Sequence, residues 1–408
     1  MPLRLAIDKN NVKLERLLLI VLPIVQFTHI TDFMLMMPLG PQLMRAFAMG
    51  THAFATAVSA YTFSASIFGL LGAFFMDRFD RKRALLFLYA GFAAGTLGCA
   101  LAPTYILLLC ARIVAGAFGG MLSALCLSIV ADAFGEERRG MAMGVMMSAF
   151  SLASVLGVPL GLFLANLWGW HAPFLFLAGL CLLVWLWAAF MLPPLRAHLR
   201  TDAVADKPWL IFEIVAKSAN QRWALAFMVF IMFAGFSVIP FISPYLVANA
   251  GMAEQALPLL YLIGGAFVFF TSQAIGRLSD RYGKPRMFRI ITVISLLPLL
   301  LVTNMGRMPL WFILASTTIF FIFVSGRIVP AMAMISATVE PRHRGRFMSL
   351  VSSVQQLGSG CAAQTAGMII VSGADGRFLH YNWVGWLAVA SSVICIGIST
   401  RIKTLAAA

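Results

Sequence analysis

Three ionisable side chains stand inside long apolar runs of this chain: Asp32, Arg112 and Arg327. A charge at the centre of a membrane-crossing helix costs about 2.5–3.5 kcal/mol on insertion scales, so it marks ion pairing, proton transfer or ligand binding. Asp32 lies six residues before Pro38-Leu39-Gly40-Pro41, where the first run ends, and Arg112 lies seven residues into the fourth, which starts from the same surface. At the helical rise both are about 9–10 Å deep, and therefore level. Burial and a neighbouring cation act on a carboxylate in opposite senses, so such a group can take and release a proton as its surroundings change. That chemistry suits proton coupling; a static ion pair holding a helix bundle is the alternative. His29 shares the helix face of Asp32 one turn earlier and is placed either for proton relay or for hydrogen-bonded packing. Arg327, nearer the other end of the tenth run, meets no intramembrane acid in the sequence; it either binds an anionic group or snorkels to the interface.

The elements that carry these charges are set by composition. The chain is 61% apolar and 11% charged, with mean hydropathy +0.91, far from soluble averages. Windows long enough to cross about 30 Å of hydrocarbon fall at 17–38, 53–76, 84–102, 105–131, 141–167, 171–192, 222–248, 256–279, 287–304, 309–335, 346–371 and 382–400. They are too long and uniformly apolar for barrel strands, so the expected class is an all-α membrane protein with twelve transmembrane helices, six per half.

The net charge of +15 raises the question of nucleic acid. With the N-terminus placed in the cytoplasm, three basic residues fall outside (Arg45, Arg307, Arg377) and two inside spans (Arg112, Arg327); the rest lie on cytoplasmic segments. This is positive-inside topology, not a nucleic-acid face, and it puts both termini in the cytoplasm. Lys9, Lys13 and Arg16 precede an apolar run without a small-residue cleavage site, which reads as a retained first span. The six cysteines form no Cys-x-x-Cys pair, the 23 methionines suit packing better than soft-metal ligation, and no phosphate-binding glycine loop is present. No metal, cofactor or ATP drive is expected, and no enzymatic chemistry.

The chain is also duplicated. Asp77-Arg78-Phe79-Asp80-Arg81-Lys82-Arg83 recurs 203 residues on as Asp280-Arg281-Tyr282-Gly283-Lys284-Pro285-Arg286; Gly40-Pro41 recurs as Ser243-Pro244, and Arg139-Gly140 as Arg344-Gly345. Expected halves are 1–192 and 222–408, joined by a cytoplasmic linker at 193–221 holding a short amphipathic helix around Trp209, Leu210, Phe212 and Ile214.

Two parallel six-span halves with the loop Gly276-Arg277-Leu278-Ser279-Asp280-Arg281-Tyr282-Gly283-Lys284 resemble the major facilitator superfamily over essentially the whole chain. The first copy of the loop departs from the family pattern, with Ala73 and Asp80 at its glycine positions. The resemblance implies a gating latch at Asp77, Arg78, Arg81, Gly276, Asp280, Arg281 and Gly283, which Asp132 extends if the spans meet there; topology alone is the simpler reading of those charges. It also implies that the first and fourth spans face a central cavity, which allows a direct or water-mediated Asp32–Arg112 pair. Ala153, Gly157 and Pro159 approximate the family's antiporter motif; Gly157, Pro159 and Gly161 mark a helix bend, and Gly116 and Gly120, following Arg112 at four-residue spacing, form a small-residue pattern for close helix approach.

The run Asp32 to Pro41 is similar to the first span of bacterial drug and sugar exporters of the arabinose-efflux-like type. This resemblance implies a secondary transporter of the bacterial inner membrane that exchanges protons for a small organic solute, a drug, sugar or metabolite, and functions as a monomer in the bilayer. Uptake by symport or facilitated diffusion is the alternative, and a non-transporting sensor or scaffold is the reading from another class. Candidate cavity residues are Gln26, Phe33, Phe236, Tyr245, Gln273, Arg327 and Gln356.

Overall fold

An apolar run becomes helix in lipid because only helix pairs every backbone group within one crossing segment. The computed structural model describes residues 9–195, 210–340 and 343–403. Its helices are α1 (Lys9–Leu35), α2 (Gly40–Ala46), α3 (Thr51–Phe75), α4 (Arg81–Ala100), α5 (Tyr105–Ala133), α6 (Glu136–Leu152), α7 (Val158–Trp168), α8 (His171–Met191), α9 (Leu210–Lys217), α10 (Ala219–Phe236), α11 (Ile242–Ala248), α12 (Leu257–Tyr282), α13 (Lys284–Thr303), α14 (Leu310–Gly326), α15 (Ile328–Ser336), α16 (Arg344–Ile369) and α17 (Tyr381–Ser399). A two-stranded antiparallel ribbon, β1 (Val371–Ser372) and β2 (Phe378–Leu379), lies between the last two and was not foreseen in the sequence.

Twelve spans result, six per half. Eleven segments are long and apolar enough to cross a membrane on their own. The remaining one, α16, carries Gln355, Gln356 and Gln364 because it packs between α3 and α10 instead of facing lipid. Gln364 accepts from Ser59 at 3.0 Å, and Ser66 donates to the Ser353 carbonyl at 2.7 Å.

Several windows that read as continuous are broken. The first ends at Leu35 and resumes as α2. The fifth contains a π-helical turn, Ala153–Gly157, before Pro159 starts α7. The seventh stops at Phe236, passes through a 3₁₀ turn at Ile239–Phe241 and restarts as α11; the tenth breaks at Arg327. Pro240 and Pro330 cannot donate a backbone hydrogen bond, which weakens the helix at these points. Of the expected linker, α9 is seen, whereas Trp209 lies outside the described residues.

The halves meet where repeat-related residues touch. Phe33 and Phe236, 203 apart, stack with centroids 6.0 Å apart, and Gly40 lies so close to Pro244 that a β-carbon there would sit 2.6 Å from the ring. Toward the face remote from the basic loops, Thr51 donates to the Ile370 carbonyl at 2.6 Å, Phe54 meets Phe241 edge-on, and Arg45 is salt-bridged to Glu254. Side-chain hydrogen bonds between the halves run from that far face only as deep as Ser66 and Ser353 among the described residues. The halves are thus sealed on the far face.

Candidate functional site

Small residues bring the charged helices together. A β-carbon on Gly116 would lie 2.9 Å from the Tyr61 Cα, and one on Gly120 would lie 2.7 Å from the Ala65 Cα, so α5 rides directly on the backbone of α3. Gly157 and Gly161 of the fifth span seat the side chains of Thr31 and Leu35 of α1. Any larger residue at these positions pushes the helices apart.

This packing delivers Arg112 to Asp32. The guanidinium Nη1 donates to Asp32 Oδ2 at 2.8 Å, and Thr96 from α4 donates to Oδ1 at 3.2 Å. The pair is sealed, with Asp32 0% and Arg112 1% exposed. Arg112 also lies over the Tyr61 ring, 4.4 Å from Cζ to centroid, and Tyr61 stacks on Phe33 at 5.4 Å. An aromatic tier therefore runs Tyr61, Phe33, Phe236 from the ion pair into the second half. Phe33 and Phe236, candidate cavity residues, form the bridge between the halves.

Around the pair are buried polar atoms without a hydrogen-bond partner among the described residues: both ring nitrogens of His29, the Tyr61 hydroxyl, Gln26 Oε1 and Thr31 Oγ1. His29 packs on Tyr61 and Phe92 at 6.1 and 5.7 Å between centroids, without touching Asp32 by a hydrogen bond. Gln26 uses its amide on Ser123 at 3.0 Å. Tyr61 is a site residue absent from the sequence-based candidates; the glycine spacing of α5, which grips its backbone, is the one signal for it.

The second half places its charge differently. Arg327 is 1% exposed and does not snorkel. Its Nη1 donates to Ser392 of α17 at 3.0 Å, and Nε and Nη2 have no partner among the described residues. At the repeat position of Asp32 stands Gly235, where a β-carbon would sit 3.6 Å from Arg327 Nη2. Tyr245 is committed to the Met305 carbonyl at 2.9 Å and to the Tyr381 ring, away from both charges. Gln273 is exposed on α12 and Gln356 half-buried on α16; neither joins the cluster.

At the basic face, Arg81 donates from Nε to Asp132 at 3.0 Å and from Nη1 to the Met76 carbonyl at 3.2 Å, joining the second-third loop to the end of the fourth span. Asp80 caps α4, accepting from the Lys82 amide at 2.9 Å. The Asp77 side chain lies outside the described residues. In the second copy, Asp280 is exposed, Arg281 lies over the Tyr282 ring, and Gly283 ends α12 at φ +91°. Gly276 has open space around it, with Val329 at 4.0 Å, and Arg78 is exposed. The two copies of the loop are therefore unequal, the first engaged and the second loose. On the far face, Arg45 and Glu254 border a cleft of about 500 Å³ with Gln42, Asn166 and Trp170; the hydrogen bond to Glu254 holds the Arg45 guanidinium above its ordinary value.

Twelve spans in two repeat-related halves around buried, membrane-embedded charges define a polytopic transporter. The sequence profile of the Major Facilitator Superfamily matches residues 22–302 and 225–402, and the chain belongs to that family. It is a transporter and not an enzyme. It is 25% identical over 350 residues to the uncharacterised MFS-type transporter YceJ of Bacillus subtilis strain 168, covering 85% of this chain and 88% of that one. It is 24% identical to the putative transporter AraJ of Escherichia coli K12, covering 80% of each. A bacterial homologue of the human lysosomal transporter Spinster, solved inward-facing and occupied, superposes with TM-score 0.76 at 15% identity, over 97% of this chain and 99% of that one, a likeness of fold.

Proposed function

We propose that this protein is a proton-coupled antiporter that exports a small organic solute from the bacterial cytoplasm across the inner membrane, as a monomer working by alternating access. The observation that carries the reading is the sealed Asp32–Arg112 pair, which holds the one acid well inside a span among the described residues. As a carboxylate, Asp32 holds Arg112 at 2.8 Å. A proton arriving from outside removes that attraction and leaves Asp32 with Thr96; the guanidinium is then free, and the energy of the lost pair biases the halves toward the other state. Release of the proton to the cytoplasm restores the pair. The partnerless atoms of His29, Tyr61, Gln26 and Thr31 favour a hydrated route to the carboxylate, since buried polar groups of this kind are met by water. The far-face seal fits the cytoplasm-open half of such a cycle, and Gly157, Pro159 and Gly161, beside a π turn gripping α1, supply the flexible fifth span. The engaged latch at Arg81 and Asp132 and the loose one at Asp280 and Arg281 are read as gating elements in unequal states.

The test uses inside-out vesicles acidified in the lumen and a panel of antibiotics, dyes, sugars and siderophores. A solute of the transporter releases protons into the medium in the wild type and not in Asp32→Asn. Release that survives this substitution moves the proton carrier elsewhere; solute-linked proton flow of the opposite sign makes the protein a symporter.

A further inference from the structure

A buried guanidinium without an acid is the strongest anomaly in the molecule. Arg327 sits where α14 breaks from α15, facing the end of α10, where the seventh span breaks as well. Discontinuous helices in transporters of this kind are where ligands bind, because chain breaks bend and expose polar groups at membrane depth. The bonded nitrogen is Nη1, held by Ser392, which in turn donates to the Ala388 carbonyl at 2.8 Å. The nitrogens without a partner among the described residues are Nε and Nη2. These two lie along one edge of the guanidinium with parallel N–H bonds, the fork that grips both oxygens of a carboxylate. Nothing from α10 fills that edge: the helix presents Gly235, and a β-carbon there would meet Val324 at 3.4 Å, Arg327 Nη2 at 3.6 Å and Ile239 at 3.8 Å. The first half supplies an aspartate at this repeat position; the second supplies a residue without a side chain.

We propose that Arg327 is an anion site and that the transported solute is a small organic acid, whose carboxylate takes the place in the second half that Asp32 takes in the first. The proposal rests on the transport reading above and sharpens it by naming the solute class. Arg327 is sealed in this conformation, 1% exposed, so the acid is admitted when α10 and α14 bend at their breaks. Phe236, next to Gly235, stacks on Phe33, so occupancy at Arg327 is felt at the aromatic tier joining the halves.

Thermal unfolding of the purified protein in lipid nanodiscs tests this without any proton movement, so its outcome is independent of whether antiport holds. The probes are acetate, benzoate and succinate, with benzylamine and sodium chloride at equal ionic strength as controls. At least one carboxylate is expected to raise the melting temperature of the wild type when neither control does. Arg327→Gln is expected to weaken that effect roughly tenfold to a hundredfold in apparent affinity, as loss of a charge-assisted pair of hydrogen bonds requires. Gly235→Asp, which leaves Arg327 in place and supplies an internal carboxylate, is expected to melt higher and to ignore all three acids; it keeps the test decisive if Arg327→Gln does not fold. Equal stabilisation of wild type and either variant overturns the site. So does stabilisation by chloride alone, or by none of the three acids.

Discussion

The two halves carry the same number of deeply buried arginines and treat them in opposite ways. Arg112 is answered by Asp32 at 2.8 Å, with Tyr61 beneath it, and is left with Nε alone unpartnered among the described residues. Arg327 is answered by one hydroxyl and keeps a whole edge free. The duplication carries Asp32 onto Gly235 but does not carry Arg112 onto Arg327, which stand 215 residues apart against a repeat offset of 203; the first half closes an internal ion pair, and the second sets its arginine beside a residue without a side chain. The first suits a group that cycles through protonation; the second suits a group waiting for a ligand.

The largest effect is expected on breaking the closed pair from its basic side. Arg112→Gln leaves the Asp32 carboxylate buried with Thr96 as its only donor, and removal of one partner from a buried pair costs about 3–5 kcal/mol. Unfolding of the detergent-solubilised protein should show that loss, and adding Asp32→Asn to Arg112→Gln should recover most of it. If Arg112→Gln proves as stable as the wild type, the pair contributes nothing and the contrast between the halves collapses.

The matching change in the second half should go the other way. Arg327→Met replaces an uncompensated buried charge by an apolar chain of similar length, and relief of such a charge is worth about 1–4 kcal/mol in favour of the folded state. A higher melting temperature in the ligand-free protein is expected. A drop as large as that of Arg112→Gln would identify Arg327 as a structural keystone and remove the basis for a vacant fork.

The glycines sharpen the comparison further. Gly116→Ala drives a methyl into the Tyr61 backbone, with Cα at 2.9 Å, and overpacking of this kind costs about 1–3 kcal/mol. Gly235→Ala meets only ordinary contacts, from 3.4 Å outward, and gains helix propensity of up to about 1 kcal/mol. Opposite signs are expected from the same substitution in the two halves, read as melting temperatures side by side.

Much of this was legible in the residues. Hydropathy placed twelve windows, and the equal depth of Asp32 and Arg112 came from helical rise alone. Breaks in the seventh and tenth spans were not legible, because an apolar run reports length and not continuity. Proline did not decide the matter either: Pro23 and Pro298 sit inside unbroken α1 and α13, whereas Pro240 and Pro330 stand at breaks. Which way a ring points is likewise a property of packing, so Phe33 and Tyr245 looked interchangeable in the sequence, yet one bridges the halves and the other bonds to the Met305 carbonyl.

The smallest effect lies at the rim, where a charge pair joins the halves instead of stabilising one of them. Arg45 is largely solvated and its bridge to Glu254 borders the far-face cleft, so removal of either partner should cost no more than about 1 kcal/mol of stability. Its influence on the balance between states is separable from that cost, because the bridge exists only while the far face is closed. Glu254→Gln should therefore leave the melting temperature almost unchanged while raising the labelling rate of a cysteine placed at Asn166, on the cleft wall. High salt should reproduce the effect in the wild type and add nothing in the variant, since a solvated pair is screened within about 10 Å at 0.1 M ionic strength and more tightly above it. Labelling that is indifferent to both would mean that the apolar contacts, Gly40 on Pro244 and Phe54 on Phe241, hold the far face shut without help from charge. In that case any charge-dependent part of the conformational bias would have to originate with the buried arginines.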